Sequence, residues 1–362
     1  MKKIAIIIDS LTGGGAEKVM LNLAESFIAQ GHIVSIFALK KHVAYSLPEG
    51  LSIVFPFQDY KKPIRGWFNR KTLVKYLKHA VIEQEKTHAF DLFLVNLYES
   101  YRLAQACDFK NCHYVIHNDF NSELAREIKM GPIKYVYMRR ILKGLTGKHL
   151  VAVSKGLAQA LERTSLFTPK SVKQIYNPVD VSQIQDLANA PKPKEMPSRY
   201  ILHVGRAAKA KRHDVLFQAM KHVDGDIPLV CLSASTKKLQ KLGRKFQIDA
   251  QLVLPGFATN PYVWMKHASA LVIASDYEGF PLVLLEALAC GTQVISTDCD
   301  YGPREVLTGA LSTNLVAKDN PLALASKIND ILASNPTSDL PPIFAQLHQD
   351  KIAGAYLDLL PN

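Results

Sequence analysis

Glu278 and Glu286 are two carboxylates eight positions apart in the stretch ASDYEGFPLVLLEALACGTQVI, residues 274–295. Glu278 lies in a Gly-containing loop after the apolar run Leu271-Val272-Ile273-Ala274, and Glu286 is the only polar side chain between Pro281 and Cys290. A helix apolar all round is buried, and a lone buried carboxylate is costly unless something satisfies it. Hydroxyl groups of a bound sugar or ribose would do so. A buried Lys or Arg would serve Glu286 as well, and Glu278 taken alone reads equally as solvated. A second group is Gly205-Arg206 with Lys211 five residues beyond Arg206. Two cations beside a helix N-terminus suit a diphosphate, because charge and unpaired amides point the same way. Lys209 and Arg212 occupy the same turn, so the register of that pair stays open.

Two further sites sit nearer the N-terminus. Thr12-Gly13-Gly14-Gly15-Ala16-Glu17 is neither a Walker A loop nor a dinucleotide fingerprint, since G-x-G-x-x-G fails at Lys18. Glycines between a strand and a helix still let backbone amides approach an anion closely; a plain tight turn is the other reading. His117, in Val115-Ile116-His117-Asn118-Asp119, ends a predicted strand, where it is either a site residue or a core or capping histidine. Cys112, His113 and His117 match no zinc spacing.

These groups need elements to hold them. Leu271–Ala274 reads as a buried strand, followed by a loop to Phe280. Pro281 is expected at the first helical position, the helix runs to Cys290, and Gly291 ends it. Val294 and Ile295 open the next strand, which makes a βαβ unit. Open parallel sheets bind ligands at their C-terminal edge, the edge on which Glu278 falls. Earlier strands are expected at Lys3–Ile8, Ile33–Leu39, Leu51–Phe55, Leu92–Val95, Tyr114–Ile116, Leu150–Val153 and Val172–Tyr176. Later ones are expected at Tyr200–Val204, Ile227–Leu232 and Leu252–Leu254. Helical patterns between them mean an α/β chain with parallel sheets. A first domain is expected over 1–187, a linker with Pro191, Pro193 and Pro197 over 188–199, and a second domain over 200–341. The tail, 342–362, has apolar residues at helical spacing.

The 362 residues suffice for two domains. Five scattered cysteines without a C-x-x-C pair argue for a reducing compartment. No stretch approaches the roughly 18 apolar residues of a membrane span, and Ile4–Ile8 is too short for a signal-peptide core. A cytoplasmic protein is expected. The net charge of +12 is unevenly placed: 26 Lys and Arg against 16 Asp and Glu in residues 1–190, and 18 against 16 beyond. Two segments carry the excess. Lys61–Lys78 mixes seven cations with Trp67, Phe68 and Tyr76, and Arg126–Lys148 mixes seven, Lys129 among them, with Ile133, Tyr135 and Tyr137. Cations and aromatics mixed on helices suit an anionic bilayer surface, while a solvated face is the plainer reading. Nucleic acid is not expected, because no recognised binding module accompanies the charge.

The pattern E-G-F-P-x4-E-A around Glu278 and Glu286 resembles the signature of the family-four retaining glycosyltransferases, typified by sucrose synthase and bacterial lipopolysaccharide and capsule transferases. Gly14-Gly15-Ala16-Glu17, Asn177-Pro178-Val179-Asp180, Gly205-Arg206-x4-Lys211 and Gly302-Pro303-Arg304-Glu305 agree with it. The resemblance implies a GT-B fold: two Rossmann-like domains with parallel sheets facing a central cleft, and a C-terminal helix crossing back to the first domain. It implies metal-independent transfer, with retention, from a nucleotide diphosphate donor such as UDP-hexose or UDP-N-acetylhexosamine. The implied acceptor is a hydroxyl of a lipooligosaccharide or lipid-linked oligosaccharide, reached from the inner face of the cell membrane.

By the same resemblance Arg206 and Lys211 neutralise the departing diphosphate. Glu278 holds the donor sugar with the amides of Gly279 and Phe280, and Glu286 holds the ribose. Gly205, Gly256, Pro281 and Leu282 line the donor, and Gly14, Gly15 and His117 the sugar and acceptor side. Asp298-Cys299-Asp300 looks like the metal-binding D-x-D of the other major glycosyltransferase fold, but it follows the wrong element in the wrong domain. A nucleotide-sugar epimerase of the same fold and a non-catalytic nucleotide-sugar-binding protein are the rival readings; a basic first domain disfavours the epimerase.

Overall fold

A computed structural model describes residues 1–128, 131–334 and 340–361. By contacts the chain forms two units: Met1–Pro178 with Gln346–Asn362, and Val179–Ala345.

The first unit is built on seven parallel strands: β1 Lys3–Ile8, β2 Ile33–Ala38, β3 Ser52–Val54, β4 Leu92–Asn96, β5 Cys112–Ile116, β6 His149–Ala152 and β7 Ser171–Gln174, in the order β3-β2-β1-β4-β5-β6-β7. The interior strand β1, KIAIII, is buried along its whole length. Helices cover both faces of such a sheet, so its middle strands read as continuous apolar runs. Ile4, Ile6, Ile7 and Ile8 are fully buried, each side chain contributing about 2 kcal/mol of transfer free energy. The helix Gln349–Leu357 belongs to this unit and packs on Gly15–Ala29. Ser26 Oγ donates to Gln349 Oε1 at 2.9 Å, and Gln30 Nε2 to Asp350 Oδ1 at 3.1 Å.

The second unit has six parallel strands: β8 Ile201–Val204, β9 Leu229–Leu232, β10 Leu252–Gly256, β11 Ala270–Ile273, β12 Val294–Thr297 and β13 Leu315–Val316, in the order β10-β9-β8-β11-β12-β13. Strand order reverses at β8, which lies between β9 and β11. That reversal opens the crevice in which doubly wound sheets take ligands, at the C-terminal ends of the two strands that flank it.

Two expectations about the chain's organisation meet a different arrangement. The helix Val181–Ala188, expected at the end of the first domain, packs in the second unit against Tyr262–His267 and Leu282–Ala289. Gln185 Nε2 donates to Ala289 O at 3.2 Å, and Asn260 Nδ2 to Leu187 O at 2.8 Å. Asp180 is the N-cap of this helix, accepting from Gln183 N at 2.9 Å. The chain therefore leaves the first unit at Pro178, and residues 188–199 lie within the second. The tail is two pieces, a 3-10 segment Pro342–Gln346 and the helix Gln349–Leu357.

Among the described residues no helix is long and apolar enough to cross a membrane. All five cysteines are free thiols.

Candidate active site

The loops after β8 and β11 leave neighbouring strands at the point of reversal. After β8 come Gly205 and Arg206, the 3-10 turn Lys209–Lys211, the left-handed Arg212 and the helix His213–Met220. After β11 come Ser275, Asp276, Tyr277 and Glu278. One of the contacts between the two loops centres on a single carboxylate oxygen. Lys211 Nζ donates to Glu278 Oε1 at 2.6 Å, and Ser275 Oγ donates to the same atom at 2.5 Å. Oε2 takes neither bond. The pair is mostly shielded, with side-chain exposures of 24% and 11%, so its attraction is screened less than that of a surface pair. Arg206 is exposed, and its side chain makes no hydrogen bond or ion pair among the described residues.

The remaining donor-loop residues follow Glu278. Phe280 is buried. Pro281 is the N-cap rather than the first helical residue: its ψ is 83° and the helix is Leu282–Ala289. Gly291, φ 78°, follows the Cys290 cap. Gly302 explains part of the G-P-R-E match. Its φ is 87°, and a Cβ there would stand 2.5 Å from Pro281 Cδ and 3.1 Å from Gly279 O. Only glycine lets this turn lie against the Gly279–Pro281 backbone.

Glu286, expected to be a lone buried carboxylate, is half-buried and accepts from Tyr262 OH at 3.2 Å. Gly256 ends β10 with φ 101°, at an irregularity in the β9–β10 register. Asp298 is held by Arg304 through two bonds of 2.5 and 2.6 Å, and Asp300 lies 3.5 Å from Lys318.

The first unit carries Gly14, Gly15 and His117. Here the glycine loop differs from the open anion cradle that its composition suggests. The amides of Gly13 and Gly14 both donate to Glu17 Oε2 at 2.7 Å, and Ser10 Oγ donates to Glu17 Oε1 at 2.6 Å. Glu17 thus caps its own helix, using the Gly14 donor. Gly15 faces open space. His117 follows β5, and its Nε2 lies 2.9 Å from Asn96 Oδ1 at the end of β4. Asn96 Nδ2 donates to Leu94 O at 3.1 Å, which turns Oδ1 toward the ring. His117 Nε2 is then the donor and Nδ1 carries the lone pair. Burial pushes its pKa down to about 4, so the ring is neutral at pH 7.

The two basic segments meet. The first is only partly helical: residues 61–69 are irregular and the helix is Arg70–Gln84. Trp67 packs edge-on against Tyr137 at 5.5 Å, with the guanidiniums of Arg70 and Arg140 at 5.9 and 5.8 Å from its ring. Arg65 lies over Tyr137 at 5.5 Å. Glu99 holds this corner together, accepting from Tyr137 OH and from the fully buried Arg102 at 2.8 Å. Phe68, Ile133 and Val136 are exposed beside it. Lys129 lies outside the described residues.

Spacing alone does not point to Ser275, Asn96 or Glu99, and it offers Arg212 only as a rival phosphate cation, not as a partner of carboxylates. Ser275, three residues before Glu278, was the nearest to a readable signal; the others act through contacts distant in sequence.

Two family models divide the chain. Glycosyltransferase Family 4 matches residues 13–183, and Glycosyl transferases group 1 matches residues 185–341. Over 356 residues the chain is 26% identical to the N-acetylgalactosamine-N,N'-diacetylbacillosaminyl-diphospho-undecaprenol 4-alpha-N-acetylgalactosaminyltransferase of Campylobacter jejuni, covering 92% of this chain and 90% of that protein. Sucrose-phosphate synthase from Thermosynechococcus elongatus superposes with a TM-score of 0.71 at 19% identity, over 99% of this chain and 95% of that one. Anabaena HepE, solved with UDP and glucose, superposes with a TM-score of 0.68 at 17% identity, over 99% and 96%.

Two Rossmann-like parallel-sheet units of this kind define the GT-B class of glycosyltransferases. The chain belongs to glycosyltransferase family four. It is an enzyme that transfers a sugar, and the epimerase and binding-protein readings give way to that.

Proposed function

We propose that the enzyme moves a hexose or N-acetylhexosamine from UDP to a hydroxyl of a lipid-linked oligosaccharide or lipooligosaccharide, with retention and without a metal. The observation that carries this reading is the Lys211–Glu278 contact at the ends of β8 and β11. It pairs a cation suited to phosphate with a carboxylate suited to sugar hydroxyls, at the edge where such sheets take ligands.

The chemistry is departure of a diphosphate from an anomeric carbon. Negative charge grows on the leaving oxygen, so fixed cations there bind the transition state more tightly than the ground state. Lys211 and Arg206 supply that charge, with Gly205 leaving room for the phosphates. Glu278 keeps Oε2 for a sugar hydroxyl, and the backbone of Gly279 and Phe280 assists. Pro281 and Leu282 set the start of the helix that carries Glu286, the ribose partner. Gly256 ends the strand nearest the base. In the first unit, neutral His117 accepts a hydroxyl at Nδ1, and the Gly14–Gly15 turn lines the sugar and acceptor side.

The acceptor class is supported by the diphospho-undecaprenol in the Campylobacter jejuni relative's name and by the basic aromatic face of the first unit. Cations flanking exposed apolar side chains suit the headgroup layer of an anionic membrane. On this reading the enzyme works in the cytoplasm, peripheral to the inner face of the cell membrane.

A donor screen tests the reading. Pure protein is incubated with each common nucleotide sugar, with chelator, and with total lipid extract added or withheld, and free nucleoside diphosphate is assayed. Release from one UDP-sugar in chelator, stimulated by lipid, is the expected result. Release that requires a divalent metal would overturn the metal-free mechanism, and release stimulated only by a soluble sugar would overturn the acceptor.

A further inference from the structure

Arg212 closes the turn that carries Lys211. Its backbone is left-handed, with φ 44° and ψ 49°, a conformation uncommon outside glycine and asparagine. Its guanidinium holds three carboxylates on three segments of the second unit. Nε donates to both oxygens of Asp214, at 3.0 and 3.2 Å, and Nη2 donates to Asp214 Oδ2 at 3.0 Å. Nη1 donates to Asp276 Oδ1 at 2.7 Å and also to Asp319 Oδ1. Asp276 stands two residues before Glu278, and its amide donates to Ala210 O at 2.8 Å. Asp319, itself left-handed at φ 57°, follows β13.

We propose that Arg212 is the positioning residue of the donor site: it ties the Lys209–Lys211 turn to the Asp276–Glu278 loop and so holds the Lys211 ammonium opposite the Glu278 carboxylate. The inference rests on the donor site proposed above. Three carboxylates around one guanidinium leave Arg212 no charge to spare for a phosphate, so it acts through its neighbour. Asp276, on the same loop as Glu278, is a rival anion for Lys211. With Arg212 holding Asp276, Lys211 has Glu278 as its partner. A planar fork holds its acceptors in fixed directions, and the rotating donors of a point charge do not.

Arg212→Gly is the direct test, because glycine adopts positive φ without strain. Arg212→Lys keeps the charge and loses the fork. Both are compared with Lys211→Ala and with the Lys211→Ala/Arg212→Gly double variant in the full chain. Thermal melting, UDP titration, and separate donor and acceptor kinetics are the readouts. Arg212→Gly is expected to melt like wild type while its donor kcat/KM falls about 10- to 100-fold, the loss typical of a misplaced group. Acceptor KM should not move, Arg212→Lys should fall in between, and UDP binding should weaken. The double variant should be no worse than Lys211→Ala alone, since groups acting through one contact are not additive.

Normal donor kinetics in Arg212→Gly, or losses that multiply in the double variant, would overturn the proposal. Asp276→Asn cuts the same tie from the other loop and decides the matter if Arg212→Gly does not fold: an unchanged donor kcat/KM there rejects it. Near-normal turnover in Lys211→Ala would instead remove the donor site itself. A crippled Lys211→Ala beside a normal Arg212→Gly would sink this inference alone.

Discussion

Lys211 and Ser275 converge on a single oxygen of Glu278, at 2.6 and 2.5 Å. The cation is thereby fixed without using Oε2. Lys211→Ala removes it and leaves Glu278 with Ser275 alone. The expected loss in kcat/KM is about 100- to 1,000-fold, the range seen when one preorganised electrostatic group is lost. Glu278→Gln keeps the shape but weakens the hold on both Lys211 and the sugar. It should raise donor KM and lower kcat together. Steady-state kinetics with the donor fixed by the screen check both; turnover within a factor of a few of wild type in both variants would reject the assignment.

Gly302→Ala should damage the same site from outside it. The new methyl group would meet Pro281 Cδ at 2.5 Å on a backbone with φ 87°. Strain of this kind costs about 1–3 kcal/mol. A fall in Tm of roughly 5 °C is expected for a domain of this size, together with a raised donor KM as the Gly279–Pro281 loop shifts. An unchanged Tm would mean that the turn relaxes freely and that the glycine serves no close approach.

How much of this was legible in the chain depended on the range of the contact. Strands buried on both faces stand out as apolar runs, which is why β1, β4 and β11 were readable. β13, only Leu315-Val316, is too short to carry a pattern. The motifs put Glu278 and Lys211 in one site, yet the spacing does not show that they bond each other. Nor does it show that Glu17 turns back on the Gly13 and Gly14 amides, or that Arg212 collects carboxylates from positions 214, 276 and 319. Asn177-Pro178-Val179-Asp180 reads as a closing turn, and the proline-rich segment after Ala188 as a linker. The helix between them joins the second unit because its partners, Ala289 and Asn260, lie far along the chain.

Acid should destabilise the second unit. His203 and His213 pack with their rings 4.6 Å apart, and neither Nε2 has a hydrogen-bond partner. Burial pushes their pKa values down, to about 4 for His203 and about 2 for His213. Below an unfolded value near 6.5 the unfolded chain takes up protons that the folded one refuses. Stability is therefore present above pH 6.5 and is lost as pH falls toward 4. For fully buried His203 the loss approaches roughly 3 kcal/mol at its limit, since each tenfold change in proton affinity is worth about 1.4 kcal/mol. Asp9 in the first unit works in the opposite sense: burial raises it to about 6, so its contribution is lost as pH rises through that value. Melting curves between pH 7 and 4.5 should show Tm falling on acidification. His213→Phe should flatten the slope; an unchanged slope would clear His213 of the effect.

The basic face of the first unit should bind anionic bilayers. Ile133, Val136 and Arg140 are spaced by three and four residues, so they share one face of the helix Pro132–Lys143. Arg140 touches Trp67, which places exposed Phe68 beside that face. A buried phenylalanine contributes about 2 kcal/mol, and each cation near an acidic surface about 1 kcal/mol. Sedimentation with vesicles containing an anionic lipid should retain the protein at low salt and release it as salt rises. Vesicles of neutral lipid should retain little of it. Phe68→Ser with Ile133→Ser should weaken binding about tenfold or more, by loss of the apolar anchors, while Tm and turnover of a soluble acceptor analogue stay unchanged. Equal binding to neutral and anionic vesicles, or full binding by the double variant, would show that this face is only solvated charge.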